Sequence, residues 1–247
     1  MPEKGQHHLL LVWLIFTCLL VFAVYVSWIN GYLYLLYTGD KSRICWVITL
    51  LYLFISLHSG RRIVTVSGQL NATNEVRRII TEAKNPRFSD RGDEVAVNNT
   101  HVLPKSIITE YIHDLMRKYS THRLDEARDS GNDNKDLIEV YESRLKGQHE
   151  IGWFVSDLML KLGLLGTIVG FVLMLGSVSN ITDVGISAMQ NILKHMSSGM
   201  GTSLYTTFAG LICSILTASQ YYMLDQASEE ILETTKHLSQ VYVLPRL

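Results

Sequence analysis

The apolar residues of this chain fall in blocks, and the blocks have membrane length. Residues 9–29 run for 21 positions without a charge, and a helix needs about 20 apolar residues to cross the hydrocarbon core. A second block covers residues 44–59, and at 16 positions it must tilt little or rely on Arg43 and Arg61 snorkelling to the two interfaces. Residues 153–178 and 200–224 form a third and a fourth block. A secretory signal is the competing reading of the first block. Its length exceeds an h-region, however, and a second apolar block follows at once. The pattern predicts an all-α membrane protein with four transmembrane helices. Trp28, Tyr32, Tyr34 and Tyr37 stand where the first span meets the interface, and Tyr221 and Tyr222 close the fourth.

Between spans 2 and 3 the pattern changes. Residues 61–152 hold 15 of the 22 Lys+Arg and 15 of the 23 Asp+Glu, so this region is soluble and mixed in sign. Ile107, Ile108, Tyr111, Ile112, Leu115, Met116 and Tyr119 follow a 3.6-residue period, which predicts an amphipathic helix. Residues 61–83 carry a weaker helical pattern. Residues 85–104, with Pro86, Gly92 and the pair Asn98-Asn99, predict a loop, and residues 120–135 a polar linker. From Asp136 helical spacing resumes at Leu137, Tyr141 and Leu145. No strong breaker follows, so one helix is expected to continue into the third span. Residues 179–198 read as a partly helical connector, and the tail from Asp225 as a continuation of the fourth helix. The resulting divisions are 1–60 (a transmembrane hairpin), 61–152 (a cytoplasmic helical region), 153–224 (spans 3 and 4) and 225–247 (a tail).

Composition adds mostly exclusions. The net charge of −1 lacks the basic surplus of a nucleic-acid binder. Cys18, Cys45 and Cys213 each stand alone in an apolar stretch, as small buried hydrophobes do. Pro2, Pro86, Pro104 and Pro245 all avoid the apolar blocks, so the spans are expected to be free of proline kinks. Arg61, Arg62 and Lys161 flank the soluble region and outweigh Lys41 and Arg43 in the first turn. That balance predicts a cytoplasmic soluble region, with both termini inside.

The candidate chemistry is sparse. Of the nine histidines, none pairs with a cysteine or a second histidine at ligand spacing apart from His7-His8, so no metal site is expected. His113-Asp114 occurs in phosphohydrolases, but its companion motifs are missing and a surface histidine is the simpler reading. There is no Walker sequence for ATP. Asn71, Asn98 and Asn180 begin glycosylation-type triplets, which arise often by chance. The chain is not expected to be an enzyme or to need a cofactor.

What stands out is the small and hydroxyl-bearing content of the last two spans. Gly166 and Gly170 form a Gly-x-x-x-Gly pair next to Gly163. Ser203, Thr207, Gly210, Ser214 and Ala218 recur at three or four residues on one side of the fourth span. In lipid, helices associate through close packing of such residues. Thr167, Ser203, Thr206 and Thr207 either bond to backbone and glue helices together or line an ion path. Neither span carries a carboxylate between residues 162 and 180 or between 199 and 224. A proton relay across a bilayer needs a titratable group, so a conduit here would take its acid from another polypeptide.

The segment Leu164-Leu165-Gly166-Thr167-Ile168-Val169-Gly170 resembles the G-L-x-G-T-V-x-G segment of the MotA/TolQ/ExbB proton-channel family. Residues 199–211 resemble that family's partner segment, where a threonine precedes a glycine by three, as Thr207 precedes Gly210. Four spans are similar to flagellar stators and Zorya-type motor subunits, and Tyr205-Thr206-Thr207 is closest in wording to the Zorya type. The proline that flagellar stators carry after the third span is missing. Thr202 occupies the place where ExbB-like chains have a glutamate.

The resemblance implies a bacterial inner-membrane subunit that forms a homopentamer around two copies of a single-span ExbD/TolR/MotB-like protein. That partner carries a transmembrane Asp, and the proton-motive force drives the assembly as a motor. Thr167, Thr207, Thr206 and Ser203 would line the ion pathway, while Gly163, Gly166, Gly170, Gly210 and Ser214 would pack helices in the ring. The proton is the implied ion, and hydroxyl oxygens also suit sodium. The rival reading is a non-conducting oligomeric scaffold that recruits a cytoplasmic partner.

Overall fold

The computed structural model describes residues 8–83, 86–90, 95–98, 101–122, 130–147, 149–179 and 186–246. In chain order the helices are α1 (His8–Ile29), α2 (Tyr32–Gly39), α3 (Ile44–Glu82), α4 (Ile107–His122), α5 (Ser130–Lys146), α6 (Glu150–Ser179) and α7 (Ile186–Leu238). A π turn, Ser239–Val243, and a 3₁₀ turn, Leu244–Arg246, follow α7. Four of these helices are long and apolar enough to cross a membrane: α1, α3, α6 and α7. The chain is thus an all-α membrane protein with a mainly helical region between its second and third spans. Contacts divide it into two units, one of Trp13–Gly60 with Glu150–Tyr222, the other of Met1–Val12, Arg61–His149 and Met223–Leu247.

The first unit holds the apolar blocks. Gly31 lies in the left-handed region at φ 73°, which ends α1 and lets α2 restart. A turn at residues 40–43 follows, in which Arg43 also takes a left-handed φ of 59°. The Asp40 carboxylate organises this turn. It accepts hydrogen bonds from the Ser42 and Cys45 backbone N–H groups, each at 2.8 Å, and from the Ser42 hydroxyl at 2.6 Å. The Cys45 amide belongs to the first turn of α3, where backbone N–H groups have no intrahelical partner. Tyr37 stacks on Trp46 at 4.5 Å and shares a 2.9 Å hydrogen bond with Thr49. On α6, Lys161 pairs with Asp157 at 2.5 Å, as their spacing predicts. Tyr221 is fully buried against Gly152, which leaves Tyr222 as the exposed ring of the two expected interfacial tyrosines.

The second unit has a conventional hydrophobic core. Val76 and Ile80 from α3 meet Ile108, Tyr111, Ile112 and Leu115 from α4, with Tyr141 from α5 and Leu238 from α7. The amphipathic face of α4 is the one its periodicity predicts.

Three expectations are corrected. The stretch 85–104 is not simply a loop, because Phe88–Asp90, Val95–Val97 and His101–Val102 form strands β1 to β3 of an antiparallel sheet in the order β1-β2-β3. Val95, Val97 and Leu103 are buried in the α4 core. The helix from α5 does not run on into the third span. It stops at Gly147, where a Cβ would lie 2.7 Å from the Ser143 carbonyl oxygen, and α6 starts afresh at Glu150. The linker 120–135 is helical through His122 and again from Ser130, with 123–129 outside the described residues. The connector 179–198 is partly helical, as expected: from Ile186 it belongs to α7, and residues 180–185, including the Asn180 triplet, lie outside the described set. As expected, α7 continues past the fourth apolar block, to Leu238.

Candidate functional site: the hydroxyl seam of the third and fourth spans

Small residues bring α6 and α7 together within the chain. On α6 the contacts fall at Gly152, Ser156, Met159, Gly163, Gly166 and Gly170, alternately four and three residues apart. This heptad spacing keeps one stripe of a helix against its neighbour. Gly166 packs directly on the Thr206 side chain, and Gly170 on Ser203. A Cβ on Gly163 would lie 3.1 Å from the Thr206 carbonyl oxygen. So Gly163, Gly166, Gly170 and Gly210 all serve packing between two helices of the same chain. Ser156 donates to the Ser214 carbonyl at 2.9 Å and lies 3.1 Å from the Ser214 hydroxyl.

The hydroxyls separate into two sets. Thr206 is fully buried, and its O–H lies 2.9 Å from the Thr202 carbonyl oxygen. Ser203 is also buried, and its hydroxyl reaches the Thr167 carbonyl at 3.0 Å. Both serve backbone acceptors inside the seam. Thr167 and Thr207 are only half-buried, and their hydroxyls bond directly to one another across the two helices. Thr207 also reaches the Ser203 carbonyl at 3.0 Å, and Thr167 the Gly163 carbonyl at 3.3 Å. A hydroxyl has one proton and two lone pairs. The two protons are taken up by the pair itself and by those carbonyls, so lone pairs remain at the rim of the seam. They are hydrogen-bond acceptors without charge.

Two features of this region were not read from the sequence. Thr202 is fully buried, accepts from the Lys41 backbone N–H at 3.3 Å and lies 3.1 Å from the Gly39 carbonyl oxygen, tying α7 to the turn before α3. Gln220 donates to Ser56 at 3.2 Å and to Tyr52 at 3.4 Å. The polar residues of the second block, at 52, 56 and 59, were the available signal. Among the described residues, no group of three His, Cys, Asp or Glu is placed to hold a metal ion. His113 lies beside Asp114 at 3.8 Å, and Asp114 is engaged by the Tyr141 hydroxyl at 2.6 Å.

Residues 107–237, more than half of the chain, match the profile of the MotA/TolQ/ExbB proton channel family. The chain belongs to that family. The match takes in α4, α5, α6 and most of α7, so the hydroxyl seam lies wholly within the family region. No curated protein and no solved structure matches the chain. As a MotA/TolQ/ExbB family member it is a multi-pass membrane protein and a proton-channel-type transport subunit. Such subunits work in oligomers with ExbD/TolR/MotB-type partners.

Proposed function

We propose that this chain is the ring-forming subunit of an inner-membrane motor driven by the proton-motive force. The observation that carries the reading is the Thr167–Thr207 hydroxyl pair, half-buried at the rim of two spans that have no carboxylate of their own beside it. In this reading five copies surround two single-span partner helices, each with a transmembrane Asp. The partner's carboxylate takes a proton from outside, is neutralised and releases the proton inside. Thr167 and Thr207 offer neutral acceptors to the protonated acid in a low-dielectric interior, where such hydrogen bonds are stronger than in water. Ser203 and Thr206 act one layer behind, fixing the backbone that holds the pair. Each transferred charge supplies about 2.3 kcal/mol per 100 mV, and five sites engaged by two acids convert transfer into rotation. Both termini and the region between spans 2 and 3 face the cytoplasm. The same oxygens suit sodium, so the ion is decided by measurement.

The non-conducting scaffold is supported by one observation: every seam hydroxyl already has a partner within the chain. The test is to replace Thr207 and, separately, Thr167 by valine. Each variant is reconstituted with the one-span partner, and ion flux is measured. Loss of one methyl-compatible hydroxyl leaves packing volume nearly unchanged, so a drop of about tenfold or more, corresponding to roughly 1.4 kcal/mol, assigns the pair to the pathway. Unchanged flux in both variants removes the pair from it, and absence of flux in the native complex favours the scaffold.

A further inference from the structure

The second unit contains a buried histidine paired with a partly exposed carboxylate, and the channel reading does not use them. His149, in the turn between α5 and α6, is 1% exposed. Its Nδ1 lies 2.6 Å from an Asp225 carboxylate oxygen on α7. Burying an imidazole beside a carboxylate is expensive unless the two are hydrogen-bonded, and here they are. Two weaker contacts continue the line. Lys146, the last residue of α5, lies 3.5 Å from Glu229, and Lys236 lies 3.2 Å from Glu142. On α7 the acceptors and donor stand at 225, 229 and 236, spacings of four and seven that keep to one helix face. The end of α5 and the following turn are therefore fastened along α7, and of these three contacts the one at His149 is the most buried.

We propose that His149 and Asp225 form a proton-binding site, a clasp that fastens the α5–α6 turn to α7 when His149 is neutral and releases it when His149 takes up a proton. With the imidazole neutral, Nδ1–H donates to Asp225. Protonation adds a buried cation. The charged groups that act on it are Asp225 from α7, which favours the cation, and Arg62 from α3, which opposes it. Nearby Lys146 is occupied by Glu142 and Glu229. Burial is the largest influence and pushes the His149 pKa below the ordinary 6.5; Asp225 pulls upward through its hydrogen bond and its charge, and Arg62 adds to the downward push. The net direction is down, so the closed clasp binds a proton less readily than the open one. By linkage the closed state is fully favoured above pH 6.5 and loses ground as pH falls below it. The clasp therefore responds to acid on the side of the membrane that holds the soluble region. This inference is independent of the motor reading, and its test measures no ion flux.

The experiment is hydrogen–deuterium exchange of the full-length protein in nanodiscs, following peptides that span the α5–α6 turn from about pH 8 to about pH 5, corrected for intrinsic exchange. The expected result is opening that rises by up to about tenfold per pH unit below the ordinary histidine value, the limit for one proton. His149→Gln, a neutral side chain that still donates, is expected to abolish the pH dependence while the turn stays protected. Asp225→Asn is expected to raise opening at every pH. Histidine resonances of the unmodified protein, assigned by loss of one signal in His149→Gln, give the protonation directly and do not depend on any variant's stability. A wild-type turn equally protected across the range, or the same pH dependence retained in His149→Gln, overturns the proposal.

Discussion

Gly210 approaches Gly163 so closely that a Cβ on Gly210 would stand 2.8 Å from the Gly163 Cα and 2.8 Å from the Met159 carbonyl oxygen. Both obstacles are backbone, so no side chain can rotate aside. Gly210→Ala is expected to push α6 and α7 apart at a cost of about 1–3 kcal/mol, the range for overpacking. Gly68→Ala, in α3 with nothing within 4 Å of the added carbon, should instead gain up to about 1 kcal/mol of helix propensity. Thermal unfolding in detergent compares the two. Equal melting of Gly210→Ala and the parent would show that the seam is looser than described.

Asp40 gathers three donors at the start of α3, two of them backbone amides. Asp40→Ala leaves those amides without their acceptor and is expected to cost about 1–2 kcal/mol, the upper half of the capping range. Trypsin cleavage at Lys41 and Arg43 should quicken in parallel. An unaltered digestion rate and melting point would mean that water serves the turn equally well.

Tyr141 meets Tyr111 edge-on with ring centroids 5.5 Å apart and donates to Asp114 at 2.6 Å. Tyr141→Phe keeps the ring and removes the donor. The expected loss is about 1–2 kcal/mol, since hydrogen bonds to charged acceptors exceed neutral ones but Asp114 is half-exposed. Burial, then the hydrogen bond to Asp114, raises the Tyr141 pKa above the ordinary 10.0. Its contribution is therefore complete below pH 10.0 and declines as pH rises toward the elevated value. Denaturant titrations at neutral and strongly alkaline pH distinguish Tyr141→Phe from the parent at the first and should bring them together at the second.

Glu142 sits between two ammonium groups, at 3.1 Å from Lys146 and 3.2 Å from Lys236. Their hydrogen bonds, Lys146 first, hold its carboxyl below the usual 4.5, and Glu142 in turn holds Lys146 above 10.5. The Glu142 share of stability is present above pH 4.5 and is lost as pH falls through the lowered value. The Lys146 share is present below pH 10.5 and is lost as pH rises through the raised value. All three side chains are at least a third exposed, so the network is worth less than about 1 kcal/mol and salt should erase it. Glu142→Gln is expected to lower the melting point slightly in dilute buffer and not at all in about 1 M salt. A salt-independent difference would point to packing instead of charge.

Much of this architecture was legible because bilayer and helix impose long, repetitive patterns. The runs at 9–29, 44–59, 153–178 and 200–224 needed only hydropathy, and the Gly166–Gly170 pair with Thr167 and Thr207 marked where two helices meet. What escaped notice was short or decided at a distance. β2 has three residues, too few to display alternation, and its burial comes from α4. The stop at Gly147 was hidden because a single glycine in a helical pattern is usually tolerated. The partition of hydroxyls into buried Ser203 and Thr206 and half-buried Thr167 and Thr207 depends on the facing helix. Spacing along α7 alone gave no basis for it. His149 and Asp225 lie far apart in sequence, and a lone histidine next to a glutamate carried no signal of its partner.

No residue of α1 is buried, and that has a mechanical corollary. Its 22 residues make a rod of about 33 Å at 1.5 Å per residue, against a hydrocarbon slab of about 30 Å. The helix is therefore long enough to span with some tilt. With no residue of α1 buried within the chain, its tilt is left to its interfacial anchors, Trp28 and Tyr32 among them, and to whatever packs on it from outside.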